Sequence, residues 1–252
     1  MNDSPNRLLR PLLLPLCALL LMVPATALAL DGEQILAQVD RNLQPRSYEM
    51  YRKLINLEPD GSRREFVLYT LKKGEDKMVA LFLAPASEKG RATLRLGENI
   101  WLYIPKVGRP IRITSLQSVI GGVFNNADIL RLDFSSEYRV EQLREEDAHY
   151  LLTLKARTTA VAYDSLIMEV EKKRLLPTTI ACHAASGMLI KTLRYSEIKD
   201  FGGGLVRPAR LETDSPLHKG YRSIMLFARL RNRSVSDEVF SLNGFAKVDE
   251  LR

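Results

Sequence analysis

Residue types that commonly do chemistry are few in this chain and lie far apart. The three histidines are His149, His183 and His218, and none has a second histidine, cysteine or carboxylate at the spacing that holds zinc. No nucleophile-elbow motif accompanies them. The sequence therefore predicts no metal site, no cofactor and no catalytic residue, and we expect a protein that is not an enzyme. A lipid hydrolase that depends on one Asp or Ser is the enzymatic alternative.

Three other features have a structural interpretation. Cys182 is the one cysteine outside an N-terminal apolar run, and we expect it to be a small buried apolar group because free cysteine usually is. Gly202–Gly204 precedes Leu205 instead of the Lys-Ser or Lys-Thr of a phosphate loop, so it predicts a turn. Glu145–Asp147 predicts a solvated hairpin tip, in preference to a calcium or acid/base site.

The N-terminus has the pattern of a secretory signal peptide. Arg7 and Arg10 precede an apolar run over residues 11–23, and small residues at A-x-A spacing follow it. We predict a cleaved signal over residues 1–29, with cleavage after Ala27 or Ala29, and one domain over residues 30–252. An uncleaved anchor is the alternative, although the run is shorter than the roughly 20 residues of a membrane span.

The charge distribution argues against nucleic acid as a partner. The precursor carries a net charge of +7, but its basic residues are mixed with acidic ones and no recognition motif is present. One dense cluster, Arg229, Arg231 and Arg233, occupies alternate positions of a predicted strand and so one face. It is typical of a solvated face or a charge-protected sheet edge. An anionic headgroup or an acidic partner remains the alternative.

Most of the chain has the two-residue period of β-strands. A short helix comes first, with Asp31 and Gln34 as a near capping box. From Ser47 onward apolar and polar residues alternate, and Glu58–Gly61 supplies the first hairpin turn. Eleven or twelve strands in sequence-local hairpins predict a mainly β fold with one large meandering antiparallel sheet, which either closes into a barrel or curls into a half-barrel.

One segment, Ser115–Leu132, interrupts the strands. Leu116, Val119 and Ile120 have helical spacing, and Asn125 can cap a second short helix. The segment predicts two helical pieces around Gly121-Gly122. Both interpretations stay open: an ordinary crossover between parts of the sheet, or a mobile cover hinged at the glycine pair.

Several strands are apolar on both faces, unlike a half-solvated sheet that alternates cleanly. The excess apolar surface suggests a groove for a ligand, and a sandwich of two sheets is the alternative. We predict that the groove and its cover are lined by Phe66, Leu68, Phe82, Trp101, Tyr103, Val119, Gly121, Gly122, Phe124, Met168, Met225 and Phe227.

Five stretches resemble the outer-membrane lipoprotein-sorting family, the relatives of the carrier LolA: residues 35–42, 100–105, 106–113, 121–124 and 126–129. The resemblance implies an unclosed antiparallel half-barrel with short helices as a lid. It also implies a periplasmic carrier that takes acyl chains of lipoproteins or other lipids from an inner-membrane ABC or RND-type transporter toward the outer membrane. The functional alternative is a periplasmic adaptor or sensor subunit that binds a transporter or a signalling protein.

Overall fold

The computed structural model describes residues 31–252, so the predicted signal peptide lies outside the described residues. Thirteen strands, three α-helices and two short 3-10 helices follow one another along the chain. Their bounds are α1 Gly32–Leu43, β1 Tyr48–Leu57, β2 Arg63–Lys73, β3 Lys77–Ala84, β4 Ala92–Leu96, β5 Asn99–Tyr103, β6 Ile111–Ile113, α2 Asn126–Ile129, α3 Phe134–Glu137, β7 Tyr138–Glu145, β8 His149–Ala156, β9 Ser165–Glu171, β10 Leu176–His183, β11 Leu189–Asp200, β12 Val206–Asp214, β13 Arg222–Asn232, and the 3-10 helices Asp237–Phe240 and Phe245–Leu251.

All thirteen strands form one antiparallel sheet in the order β6-β5-β4-β3-β2-β1-β13-β12-β11-β10-β9-β8-β7. Strands that are neighbours in sequence pair with one another, except β6 and β7, and β1 also pairs with β13 in the middle of the sheet. β6 and β7 are therefore the two free edges, and the sheet is not closed into a barrel. The predicted mainly β fold and open half-barrel are confirmed.

The connection between the two edges, residues 114–137, has to pass across the sheet because β6 ends at one edge and β7 begins at the other. We call this segment the cover. It packs on one face, the inner face, through Val119, Phe124, Ile129 and Leu130, all of which are buried. The segment is thus a crossover between the two edges of the sheet that also covers its inner face, and the mobility of this cover stays a prediction.

Helix α1 begins as predicted. The Asp31 side chain accepts a hydrogen bond from the Gln34 backbone N–H at 2.8 Å, and the Gln34 side chain accepts one from the Asp31 N–H at 3.2 Å. This reciprocal arrangement satisfies two N–H groups that would otherwise lack partners. The apolar stripe of α1 is fully buried on the inner face of the sheet and consists of Ile35, Leu36, Val39 and Leu43.

The first predicted helical piece of the cover is wrong. Residues 114–125 form turns with an isolated bridge between Ser118 and Asn125, and Ile120 has a positive φ of 52° that no helix accommodates. The second piece is confirmed as α2. Its cap is Asn125, whose side chain accepts from the Asp128 N–H at 3.1 Å while Asp128 accepts from the Asn125 N–H at 3.0 Å.

A second apolar cluster covers the outer face of β2–β5. The C-terminal 3-10 helices place Val239, Phe240, Phe245 and Val248 there. Their sheet partners are Tyr69, Leu71, Val79, Leu81, Ala92 and Leu94. The apolar residues on both faces of β2 and β3 therefore have a structural cause, since the chain's own C-terminus covers the face that points away from α1.

Of the two structural interpretations of the arginine cluster, the sheet edge is wrong and the solvated face is confirmed, since Arg229 and Arg231 are exposed. β13 lies in the centre of the sheet, between β1 and β12. Arg231 and Arg233 both donate to the carboxylate of Glu49, whose side chain is 2% exposed. Tyr69 donates to the same carboxylate at 2.6 Å. These two arginines compensate a buried charge on the outer face.

We predict that Phe245→Ala lowers the free energy of unfolding by about 3–5 kcal/mol, because it empties a fully buried site in the outer cluster. Urea denaturation followed by Trp101 fluorescence measures the change, since Trp101 packs in the same cluster. The control is Leu242→Ala, a neighbouring residue that is 44% exposed. Equal urea midpoints for Phe245→Ala and the control would contradict the packing role of the C-terminus.

Candidate functional site

The candidate site is the boundary between the inner face of the sheet and the cover. Phe66 and Phe82 meet there edge to face, with ring centroids 6.2 Å apart. Eight of the twelve residues predicted to line a groove are buried together in this cluster: Phe66, Leu68, Phe82, Val119, Phe124, Met168, Met225 and Phe227. The strands supply six of them and the cover supplies the other two.

Trp101 and Tyr103 are not in the site. They alternate with Ile100, which belongs to the inner cluster, so they point to the opposite face of β5. The Tyr103 ring lies 6.2 Å from that of Phe245 in an edge arrangement. Both aromatic residues therefore pack against the C-terminal 3-10 helices, and the prediction that they line the groove is corrected.

Gly121 and Gly122 lie where the cover passes the Asn56 side chain of β1 and the Arg64 side chain of β2. Gly121 has a φ of +67°, which suits glycine. At Gly122 an added Cβ would come within 2.3 Å of Asn56 Oδ1. The absence of a side chain at 122 thus has a steric reason, which is the close approach of the cover to the strand. The hinge at this pair stays a prediction.

Basic side chains of the sheet hold carbonyl groups of the cover. Arg52 Nη1 donates to the Ile129 carbonyl at 2.6 Å, and Arg95 Nη1 donates to the Leu130 carbonyl at 3.1 Å. The last carbonyls of a helix have no partner within it, so these donors satisfy the end of α2. Lys191 donates to the Val123 carbonyl and to Asp128 Oδ2.

A second set of polar contacts fixes the glycine turn of the cover. Ser223 Oγ accepts from the Val123 N–H at 2.9 Å and donates to Asn56 Oδ1 at 2.8 Å. Asn56 Nδ2 in turn donates to the Ile120 carbonyl at 3.4 Å. A short loop that would otherwise bury bare backbone groups is satisfied by these side chains.

Asp40 of α1 joins the helix to the second half of the cover. Its carboxylate accepts from the Phe134 N–H at 2.7 Å, from the Ser135 N–H at 2.9 Å and from the Ser135 hydroxyl at 2.7 Å. Burial raises the pKa of Asp40 to about 6 and outweighs the hydrogen bonds that lower it. Near it, the fully buried Lys72 pairs with Asp133 at 2.6 Å.

Sequence reasoning missed these polar contacts, although a signal for them exists. Arg52 and Asn56 stand in the same alternating series as the apolar Tyr48, Met50 and Leu54, so strand periodicity places them on the inner face. Lys191 precedes Leu193 and Tyr195 in the same way. A charged or amide side chain at an inward position indicates a buried partner, but the sequence does not reveal which segment supplies it.

The remaining chemistry-bearing residues occupy ordinary positions. Cys182 is fully buried in the inner cluster, as predicted, and burial raises the pKa of its thiol. Gly202–Gly204 forms the predicted turn between β11 and β12. Within residues 31–252, no three His, Cys, Asp or Glu side chains come together as a metal site.

No helix in the described part of the chain has the length and apolar character needed to cross a membrane.

The inner face is closed in this conformation. The cavity between the cover and the sheet at Arg131, Phe134 and Cys182 has a volume of about 20 Å³, which is room for about one water molecule. An acyl chain has no space there unless the cover moves. Movement would break side-chain contacts to the backbone of the cover and uncover the apolar cluster described above.

Comparisons with known proteins agree with this architecture. A family model described as an uncharacterized-protein-like family matches residues 74–247. A LolA superfamily protein from Nitrosomonas europaea is 26% identical, with a TM-score of 0.77 over 85% of this chain and 99% of that one. A search of the curated proteins gave no match.

Two further solved structures share the fold at lower identity. A DUF1329 family protein from Desulfovibrio piger is 19% identical, with a TM-score of 0.72 over 84% of this chain and 96% of that one. An outer membrane lipoprotein-sorting protein domain from Vibrio parahaemolyticus is 17% identical, with a TM-score of 0.70 over 85% of this chain and 98% of that one.

We predict that Gly122→Ala lowers the free energy of unfolding by about 1–3 kcal/mol, because its Cβ collides with Asn56. The double variant Gly122→Ala/Asn56→Ala removes the obstacle. Urea denaturation of the wild type, Gly122→Ala, Asn56→Ala and the double variant gives the coupling energy between the two sites. If the cost of Gly122→Ala is the same with and without Asn56, the close approach of cover and strand is refuted.

We predict that the free energy of unfolding depends on pH through the titration of Asp40. Its folded pKa of about 6 lies above the ordinary value of 3.8, so the folded state binds this proton more tightly than the unfolded state. The resulting stabilisation is complete below about pH 4 and is lost as pH rises to about 6, by an amount on the order of 3 kcal/mol.

Asp40→Asn should remove this part of the pH dependence of the free energy of unfolding, measured by urea denaturation between pH 4 and 7. Asp147→Asn, at an exposed hairpin tip, is the control and should leave the dependence unchanged. An unaltered pH profile in Asp40→Asn would show that Asp40 does not titrate in this range.

Proposed function

The chain belongs to the family of uncharacterized proteins whose model matches residues 74–247, and its fold is that of the LolA superfamily. We propose a function from these two premises. On this basis the protein is an exported periplasmic carrier, and not an enzyme. It binds acyl chains of lipoproteins or other lipids against the inner face of its sheet. An inner-membrane transporter of the ABC or RND type hands over the cargo, which then moves toward the outer membrane.

The observation that carries the proposal is the construction of the cover. Its apolar side chains pack on the inner face of the sheet, and its backbone is held there by polar side chains of β1, β4, β11 and β13. An acyl chain can replace the apolar contacts, because burial of any aliphatic group is favourable and non-directional. The polar contacts return to water when the cover opens.

The free energy gained when an acyl chain is buried is comparable to that of the hydrogen bonds that hold the cover. A chain that buries about ten CH2 groups gains about 8 kcal/mol, at about 0.8 kcal/mol per group. The side-chain hydrogen bonds that hold the cover contribute about 1 kcal/mol each. Burial of a lipid chain can therefore supply the free energy that opens the cover. Reclosure of the cover can expel the lipid at a site of delivery. A carrier needs both steps.

Lipid mass spectrometry of the protein purified from its periplasm tests the proposal, together with binding of the neutral fluorescent probe N-phenyl-1-naphthylamine to delipidated protein. We expect co-purifying acyl lipids and saturable probe binding. Asn56→Ala loosens the cover and should tighten probe binding about 3–10-fold, since less closing energy opposes entry. Asn99→Ala removes an amide of β5 that accepts from Arg112 of β6 and makes no hydrogen bond to residues 114–137, and it should not change probe binding.

Two results would contradict the proposal. One is the absence of both co-purifying lipid and probe binding. The other is capture of a membrane protein by lipid-free protein with an affinity that substitutions in the inner face do not alter, which would favour an adaptor.

A further inference from the structure

Three arginines, Arg52, Arg131 and Arg207, lie close enough to Tyr48, at the end of the inner face beside α1, for its hydroxyl to affect the pKa of each. Arg52 of β1 donates to this hydroxyl at 3.4 Å. Arg207 of β12 lies with its guanidinium carbon 4.6 Å from the centre of the Phe227 ring, and Arg52 approaches the same ring at 5.8 Å. Arg131, which follows α2 in the cover, donates to the Tyr195 hydroxyl.

Two of these guanidinium groups are almost completely buried. Arg52 is 5% exposed and Arg207 is 2% exposed. Arg131 is partly exposed and lines the small space beside the cover. The charges act on one another, since burial first and then the Arg131 and Arg52 charges lower the pKa of Arg207 to about 10. Arg207 nevertheless stays protonated at neutral pH.

The other buried cations of the inner face each have a carboxylate partner. Lys191 pairs with Asp128 at 2.9 Å and Lys72 with Asp133 at 2.6 Å, and Arg95 pairs with Glu137. Among residues 31–252, no carboxylate lies within 4 Å of a nitrogen of Arg52, Arg131 or Arg207. The Asp40 charge reaches Arg131 only over a longer distance.

Part of the hydrogen-bonding capacity of the buried pair is also unused, because within residues 31–252 Arg52 bonds only through its Nη atoms and Arg207 only through Nε. Arg52 Nε is buried and has no hydrogen-bond partner in the described part of the chain. Arg207 makes one hydrogen bond within the described chain, from Nε to the carbonyl of the adjacent Pro208 at 3.2 Å. A guanidinium offers five N–H donors and does not deprotonate in proteins. Burial of such a group without a counter-charge is costly, so the arrangement needs an explanation.

We propose that Arg52, Arg131 and Arg207 form an internal anion site that binds the carboxylate or phosphate headgroup of a single-chain amphiphile whose acyl chain lies on the inner face. The inference rests on the proposed carrier function and narrows its cargo to anionic lipids. Planar guanidinium groups match carboxylate and phosphate oxygens in paired hydrogen bonds. A neutral lipid would leave the three charges uncompensated.

The surroundings of Arg207 provide a route to solvent. Its guanidinium lies 5.9 Å from the Phe201 ring, and Phe201 adjoins the turn Gly202–Gly204, in which all three glycines have positive φ. This turn lines a surface cleft of about 550 Å³. Displacement of Phe201 would connect the arginines to that cleft.

The site is also coupled to the cover. Arg52 holds the Ile129 carbonyl, and Arg131 belongs to the cover itself. A headgroup that recruits both arginines competes with the contact that closes the cover. Headgroup binding and opening therefore favour each other.

The test compares matched ligands by displacement of N-phenyl-1-naphthylamine from delipidated full-length mature protein at low ionic strength. Hexadecanoate is compared with hexadecanol, and a lysophosphatidic acid with the corresponding monoacylglycerol, all below their aggregation thresholds. Inorganic phosphate alone is the third arm. We expect the anionic ligands to bind at least 10-fold more tightly than their neutral counterparts, and the difference to shrink with added salt.

Arg207→Met is the decisive variant. It should reduce the ratio of anionic to neutral affinity to about one, and it should raise the urea midpoint of unfolding, because an uncompensated buried charge has been removed. Arg207→Lys retains a charge and should keep part of the ratio. Arg210→Met removes an arginine from the opposite face of the same strand, where it pairs with Glu212, and should change neither affinity.

Each outcome decides between the claims. Equal binding of anionic and neutral ligands by the wild type overturns the anion site and leaves the carrier function standing. Binding of inorganic phosphate without binding of any amphiphile overturns both the carrier function and the lipid headgroup as the occupant. A lowered urea midpoint in Arg207→Met with an unchanged affinity ratio shows that Arg207 is structural and overturns the inference.

Discussion

Pairing of β1 with β13 is the constraint on which the rest of the structure depends. It joins the two halves of the chain in the middle of the sheet and leaves β6 and β7 as free edges. Residues 114–137 then have to cross from one edge to the other. Because this crossing runs over an apolar face, its backbone groups need partners, and the sheet provides them from Arg52, Arg95 and Lys191.

The inner face consequently combines two kinds of contact that respond differently to a lipid. Apolar contacts between sheet and cover can be exchanged for an acyl chain at little cost, since dispersion and hydrophobic burial lack directional requirements. Hydrogen bonds to carbonyls of the cover are specific to one position of that segment. Under the proposed function, this combination gives a closed state of defined geometry whose interior accepts an unspecific chain. The three arginines, which have no carboxylate partner within residues 31–252, are the proposed point of headgroup recognition at one end.

Much of this fold follows from the sequence because its patterns are local. The capping box of Asp31, the two-residue period of the strands and the Asn125 cap each depend on residues within a few positions of one another. The sequence does not predict which face of β2 and β5 is the inner one, since alternation alone does not say which side meets α1 and which meets the C-terminal 3-10 helices. Trp101 and Tyr103 were assigned to the wrong side for that reason. The partners of Arg52 and Lys191 are 77 and 63–68 residues away, a separation at which sequence spacing carries no information.

The central claim is that the cover leaves the inner face when an acyl chain binds. Amide hydrogen exchange of residues 114–137, followed by mass spectrometry with and without hexadecanoate, tests it most directly. The account predicts that ligand binding makes amide exchange faster in the cover, above all at the Val123 N–H, which donates a hydrogen bond to Ser223 Oγ in the closed state. Protection in β1 and β13 should not change. Saturable binding of hexadecanoate with unaltered or slower exchange throughout the cover would contradict it.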